Sequence, residues 1–499
     1  MTTNTAPVSA PPKRRPIRGF VIIWTFITLL MGLATFAAIF FAYDNRNRAD
    51  EVALAPASNT GGDPIVVIAS PTPLPTQPVQ ATAVVAIDEP TTIPPTSVVE
   101  PAQAEPTTQQ QQTQSTQVVQ APTQTPEPTF VPPDEDQRFQ VGIQIQVPQD
   151  LDQDVLDGYY RTARQNLGVP WVKKQVRWEL VEPQEDVYDF AELDLAMDRA
   201  LYFNINMMLS IVTTPDWARE PGADLSEHGP PADNEDYVDF VRQILNRYDG
   251  RVFAVEVWNE QNLAREWTSP NGLSATNYME MLRPTYNMVQ EESPGTIVIS
   301  GALAPTGVTN DQAVDDFLYL ERLIDAGLLD YADCVGAHHN GYNISPLVRW
   351  DAVPNDPTAT YRGPFDNPHH SWSFRSTLEG YTQRIRNAGA DTKLCVTEFG
   401  WAVTEDLAGT PRFYEYADDN TLEEQAQYFT DALELMATDD SVNVWLAFIW
   451  NLNYGPQVGW DPSNDNVPYS LIGPEFSFRP AFDAIRDWYA GYRERTDQT

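Results

Sequence analysis

Cysteine is scarce: two residues, Cys334 and Cys395, in a chain of 499. Two cysteines exclude a disulfide-rich scaffold and any cysteine-built metal knot. Buried free thiols are the expectation, with a single bridge between neighbouring strands as the alternative outside the cytoplasm. Basic residues are also few, 31 against 70 acidic ones. Six of the basic and twelve of the acidic residues precede residue 137, which leaves 25 against 58, a net charge near −33. Such a surface repels phosphate backbones and excludes nucleic acid as a natural partner. It disfavours polyanionic glycans too, unless a local basic pocket overrides it. No phosphate-binding glycine loop and no GxSxG elbow is present.

Charge is absent altogether from Gly19 to Tyr43. An apolar run of about 20 residues spans a bilayer, whereas the apolar core of a signal peptide is only about 7–15 residues long. The segment 19–43 therefore reads as an uncleaved transmembrane anchor. Four basic residues precede it and Arg46 and Arg48 follow. That bias puts the tail 1–18 in the cytoplasm and the rest of the chain outside. Residues 44–137 are rich in Pro, Thr and Gln and hold no Lys or Arg beyond Arg48. They cannot bury a core and read as a disordered linker. Residues 50–137 reach between about 50 Å as a coil and about 270 Å as polyproline II.

From residue 138 the chain turns globular. Apolar runs at 139–147, 171–178, 205–212, 252–259, 296–303, 333–339, 394–399 and 442–450 read as strands. Amphipathic segments at 152–168, 190–202, 233–248, 274–291, 311–326, 374–389, 422–436 and 479–489 read as helices. Eight strands alternating with eight helices over 138–499 predict a (β/α)₈ barrel.

Such barrels carry their chemistry on the loops after the strands. The run VEVWNEQN (255–262) delivers Asn259 and Glu260, and KLCVTEFGW (393–401) delivers Glu398 and Trp401. Other strand ends supply Arg177, His338 with His339, Tyr342 and Trp450. Two carboxylates, a cation and aromatic plates suit glycoside cleavage: one carboxyl protonates the leaving oxygen, the other acts on the anomeric carbon. Blander roles compete. Arg177 could pair inside the barrel with Glu256, Trp401 and Trp450 could be core, and His369 and His370, in a long loop after strand six, could bind substrate or sit on the surface. His338 and His339 lack a third ligand at metal spacing, so neither metal nor other cofactor is expected.

These residues resemble the retaining glycoside hydrolases of clan A, which include family 5 cellulases and family 39 xylosidases. The Asn-Glu pair ending strand four and the Glu ending strand seven carry the likeness. RWELVEPQEDVYDF (177–190) and TTPDWA (213–218) extend it. The resemblance covers roughly 139–490 and implies a carbohydrate substrate. It implies Glu260 as acid/base, Glu398 as nucleophile and Asn259 on the sugar 2-hydroxyl. It also implies that Arg177 keeps Glu398 ionised, with His338 lining the pocket and Trp450 flooring it. One departure is His338-His339-Asn340-Gly341-Tyr342, where clan members commonly read His-x-Tyr. The whole reads as a membrane-anchored, extracytoplasmic retaining glycosidase. A catalytically weak polysaccharide-binding barrel and a transglycosylase are the alternatives.

Overall fold

The computed structural model describes residues 137–496. The tail, the predicted span Gly19–Tyr43 and nearly all of the predicted linker lie outside the described residues. Among those described, no helix is long and apolar enough to cross a membrane.

All eight predicted strands are present: β1 Gln140–Gln144, β2 Trp171–Arg177, β3 Asn206–Val212, β4 Val252–Asn259, β5 Ile297–Ala302, β6 Val335–Gly341, β7 Leu394–Trp401 and β8 Val444–Ile449. Their order is β5-β4-β3-β2-β1-β8-β7-β6, with every pairing parallel. The seam between β5 and β6 closes through parallel bridges Ile299–Cys334 and Leu303–Ala337. Gly336 permits that closure, because a Cβ there would lie 2.1 Å from the Ser300 carbonyl oxygen.

Eight long helices cover the strands: α1 Gln153–Arg161, α2 Ala191–Phe203, α3 Asn234–Arg247, α4 Ala275–Glu292, α5 Asp316–Asp325, α6 Phe374–Asn387, α7 Leu422–Thr438 and α8 Pro480–Thr496. Local chemistry sets their starts. Asp152, Asp233, Ser274, Asp315 and Ser373 each accept a backbone N–H at a helix N-terminus, and Thr421 forms a capping box with Glu424. Each helix then buries one stripe. On α7 that stripe is Ala426, Phe429, Ala432, Leu433 and Met436, at helical spacing. Truncating Phe429 to alanine would cost about 3–5 kcal/mol by the usual cavity penalty.

Inside the barrel an apolar floor holds Trp171, Met208, Ile299, Leu446 and Phe448 together with both cysteines. Here the sequence expectation is corrected. Cys334 and Cys395 are not free thiols but a disulfide, with Cα atoms 5.7 Å apart, within the normal span for a bridge. It ties the foot of β6 to the foot of β7. Polar side chains begin one layer above this floor, toward the carboxyl ends of the strands.

Candidate active site

Glu260 follows the last residue of β4, where the backbone is bent. Trp258 has φ +77° and Glu260 has φ +45°, both costly for side-chain-bearing residues. The Glu260 N–H donates to the Ala302 carbonyl on β5 at 2.9 Å, which holds the bend. Glu398 lies within β7, where the register slips between Val396 and Phe399 against β8. The slip turns Thr397 and Glu398 inward in succession, where a regular strand would alternate them. Both carboxylates are almost fully buried, at 1% exposure for Glu260 and 3% for Glu398.

His338 of β6 joins them. Its Nδ1 lies 3.1 Å from Glu260 Oε1 and 3.8 Å from Glu398 Oε2. Those two oxygens are therefore no more than about 7 Å apart, which excludes most of the spacing an inverting pair needs. Burial opposes a charged His338, but the Glu398 and Glu260 carboxylates outweigh it and raise its pKa.

Lys173 of β2 holds Glu398 from below. Its Nζ lies 2.9 Å from Glu398 Oε1 and 3.3 Å from Glu256 Oε2, and it also donates to the Thr397 carbonyl at 3.3 Å. Thr397 Oγ1 donates to Glu256 Oε1 at 2.6 Å. Burial works against the ammonium charge, yet Glu256 and Glu398 raise its pKa overall. So the cation against Glu398 is Lys173, and the role expected of Arg177 is corrected. Arg177 pairs instead with Glu179, two residues on, and not with Glu256. Arg265 is a second basic residue that the sequence reading did not single out. Its Nη2 lies 2.6 Å from Glu260 Oε2 and its Nε 3.3 Å from Glu266 Oε1. A guanidinium there favours the ionised carboxylate.

The remaining predicted residues divide. Asn259 is 6% exposed, and its Oδ1 has no hydrogen-bond partner among the described residues. A buried acceptor in that state suits a ligand hydroxyl. Tyr342 and Trp450 sit in one aromatic cluster with Trp372, Tyr416, Tyr454 and Tyr469. Burial first, then Tyr361, Tyr469 and Glu260, push the Tyr342 phenol far up, so it stays neutral and within reach of the Glu260 charge. Trp401 is a correction. It is fully buried between β7 and the helices, against Phe374, Tyr428 and Phe429, and is core rather than substrate platform. His339 likewise turns outward onto Phe374, and burial drops its pKa to about 4. His369 and His370 do not sit on the open surface but lie beside Asp315 and Asp316 at the start of α5.

The parts now in place are a parallel eight-stranded barrel and two buried carboxylates at its carboxyl end, one held by a lysine and one by an arginine. They define a (β/α)₈ barrel with a candidate acid/base site at the carboxyl ends of its strands. Residues 147–228 match the family model Glyco_hydro_42, described as beta-galactosidase. Among solved structures, a family 39 glycoside hydrolase from Bacteroides cellulosilyticus WH2 is 18% identical, covering 71% of this chain and 64% of its own, with a TM-score of 0.49. The family 39 enzyme from Xanthomonas axonopodis pv. citri is 17% identical, covering 72% and 68%, with a TM-score of 0.46. Native xylanase 10B from Thermotoga maritima is 15% identical, covering 72% and 98%, with a TM-score of 0.46. The chain thus spans about two thirds or less of the Bacteroides enzyme's length. No curated protein matches it. The chain is similar to these glycoside hydrolases at low identity.

Proposed function

We propose that this chain is a retaining glycosidase that cleaves O-glycosidic bonds of oligo- or polysaccharides by double displacement. The observation that carries the reading is the buried Glu260–His338–Glu398 array, with Lys173 fixed against Glu398. Lys173 and His338 fix the Glu398 carboxylate where it can attack the anomeric carbon. Glu260 then serves as the acid that protonates the leaving oxygen. In the second step it takes a proton from water as that water displaces Glu398. Arg265 opposes the acid role while it holds Glu260, so a leaving group entering the site has to loosen that pair. Asn259 Oδ1 accepts from a sugar hydroxyl, and Tyr342 and Trp450 supply apolar plates beside it.

We place the barrel outside the cytoplasm, tethered through residues 19–43 and a long linker. The Cys334–Cys395 bridge supports this, since structural disulfides persist in oxidising compartments. A panel of chromogenic β-glycosides tests the activity. Glu398→Ala should abolish turnover on every substrate. Glu260→Ala should retain its first step on substrates with activated leaving groups. Azide should rescue it, giving a glycosyl azide of retained configuration. Near-normal activity of Glu398→Ala, or an inverted first-formed product, contradicts the reading.

A further inference from the structure

Two loops at the carboxyl end of the barrel bring a second set of ligating side chains together. Asp315 follows β5 and caps α5, while His369 and His370 end the long segment between β6 and α6. One ligand atom from each of the three lies within 4.8 Å of the other two. His369 Nε2 is 4.0 Å from Asp315 Oδ2. The Asp315 and His369 side chains are 22% and 23% exposed, so a solvated ion has a way in.

We propose that Asp315, His369 and His370 form a binding site for a divalent transition-metal ion of the zinc, cobalt and nickel class. Two imidazoles and a carboxylate suit those ions, whereas magnesium and calcium take oxygen ligands. The surrounding groups hold the ligands as such a site requires. The His370 ring stacks on Phe317, with centroids 3.5 Å apart, and its Nε2 lies 3.0 Å from Asp316 Oδ1. Asp316 is fully buried and is itself held by the Thr306 N–H at 2.9 Å and the Tyr381 hydroxyl at 2.8 Å. A carboxylate behind an imidazole orients a metal-bound histidine and raises its basicity. Asp316 thereby leaves Nδ1 of His370 for the ion.

His369 is prepared from the other side. Its Nδ1 accepts the Ser371 N–H at 3.3 Å, and Nε2 lies toward Asp315; ligation through Nε2 moves the ring proton to Nδ1, where the Ser371 hydroxyl at 3.0 Å accepts it. Gly307 makes room for the ring, since a Cβ there would lie 2.8 Å from it. Asp315 spends Oδ1 on the Leu318 N–H at 2.9 Å and keeps Oδ2 for the ion. At metal–ligand distances of about 2.0–2.1 Å, tetrahedral ligands sit roughly 3.3–3.4 Å apart. Binding therefore draws the loop carrying His369 toward the cap of α5 by a fraction of an ångström. That loop also carries Trp372, whose ring packs on Tyr342 with centroids 4.7 Å apart. The ion would clamp the aromatic roof of the pocket and take no part in bond cleavage.

The site is tested by titrating the tag-free, chelator-treated full chain with zinc by calorimetry, and with cobalt by its visible d–d absorption. The chain's other three histidines are His228, His338 and His339. One saturable equivalent is expected, together with a higher melting temperature in the presence of zinc. Asp315→Asn keeps the helix-capping oxygen, and His369→Gln keeps the volume. Each should weaken binding roughly tenfold or more while the metal-free melting temperature holds. Ser371→Ala, which removes only an orienting group, should weaken it roughly 10–100-fold. Absence of saturable binding by the wild type, or unchanged affinity in these variants, overturns the proposal.

Discussion

Adjacent lysines in β2 have opposite surroundings, because side chains alternate across a strand. Lys173 points into the barrel toward Glu398 and Glu256, while Lys174 points out to Glu192 on α2. The pair WVKKQVR shows a lysine on each face, yet position along the strand drew attention to Arg177 instead. Arg177 ends the strand, but Glu398 is reached from deeper in the barrel. The slip in β7 also hid the fate of Trp401: it brings Glu398 inward and leaves Trp401 facing the helices, and no apolar pattern reveals a slip of that kind. Glu260, Asn259 and His338, by contrast, were legible as polar residues ending apolar runs. Lys173→Met should separate the two cations. It leaves two buried carboxylates without their ammonium, and breaking such a pair costs about 3–5 kcal/mol. Denaturant unfolding should show that loss, and kcat/KM should fall far more than in Arg177→Gln. A larger fall in kcat/KM for Arg177→Gln than for Lys173→Met would return the role to Arg177.

Strands and long helices were legible because their periods are strong and their caps are explicit, as with Thr421 and Glu424 on α7. The six-residue π-helical turn Thr162–Leu167 that extends α1 was not, since its hydrogen-bond pattern leaves no signature in composition. The pairing of Cys334 with Cys395 was also out of reach. Neighbouring strands could be inferred from a barrel, but whether the two cysteines lie level depends on register. The bridge closes a loop of 61 residues and lies buried in the barrel floor. Replacing both cysteines by alanine should cost roughly 2–4 kcal/mol. The unreduced protein should react with no thiol reagent even in denaturant. Two thiols titrating under those conditions would show that the strands are not cross-linked.

Across the whole molecule, burial holds three of the five histidines neutral. His228, His339 and His369 have pKa values lowered to about 4 from an ordinary 6.5, chiefly through desolvation. Unfolding releases them to bind protons near pH 6.5. They cost nothing above that pH and favour the unfolded chain increasingly as pH falls from 6.5 toward 4. His338 acts in the opposite sense, because its raised pKa lends stability at low pH that fades as pH rises through the folded value. With three groups against one, the denaturation midpoint should drop between pH 7 and pH 4.5. His339→Gln should lessen that drop, and an unchanged drop would show that His339 protonates freely in the fold. The barrel itself was legible from the βα rhythm, while the anchor and tether rest on composition alone.

The account stands on Glu398 as the attacking carboxylate, and a mechanism-based label reads that directly. The 2-deoxy-2-fluoro analogue of the first β-glycoside the protein cleaves should inactivate it and add one sugar per chain. Peptide mapping by mass spectrometry should then place that sugar on Glu398. A label on Glu260 or another residue, or turnover with no covalent adduct at all, would contradict the double displacement proposed here.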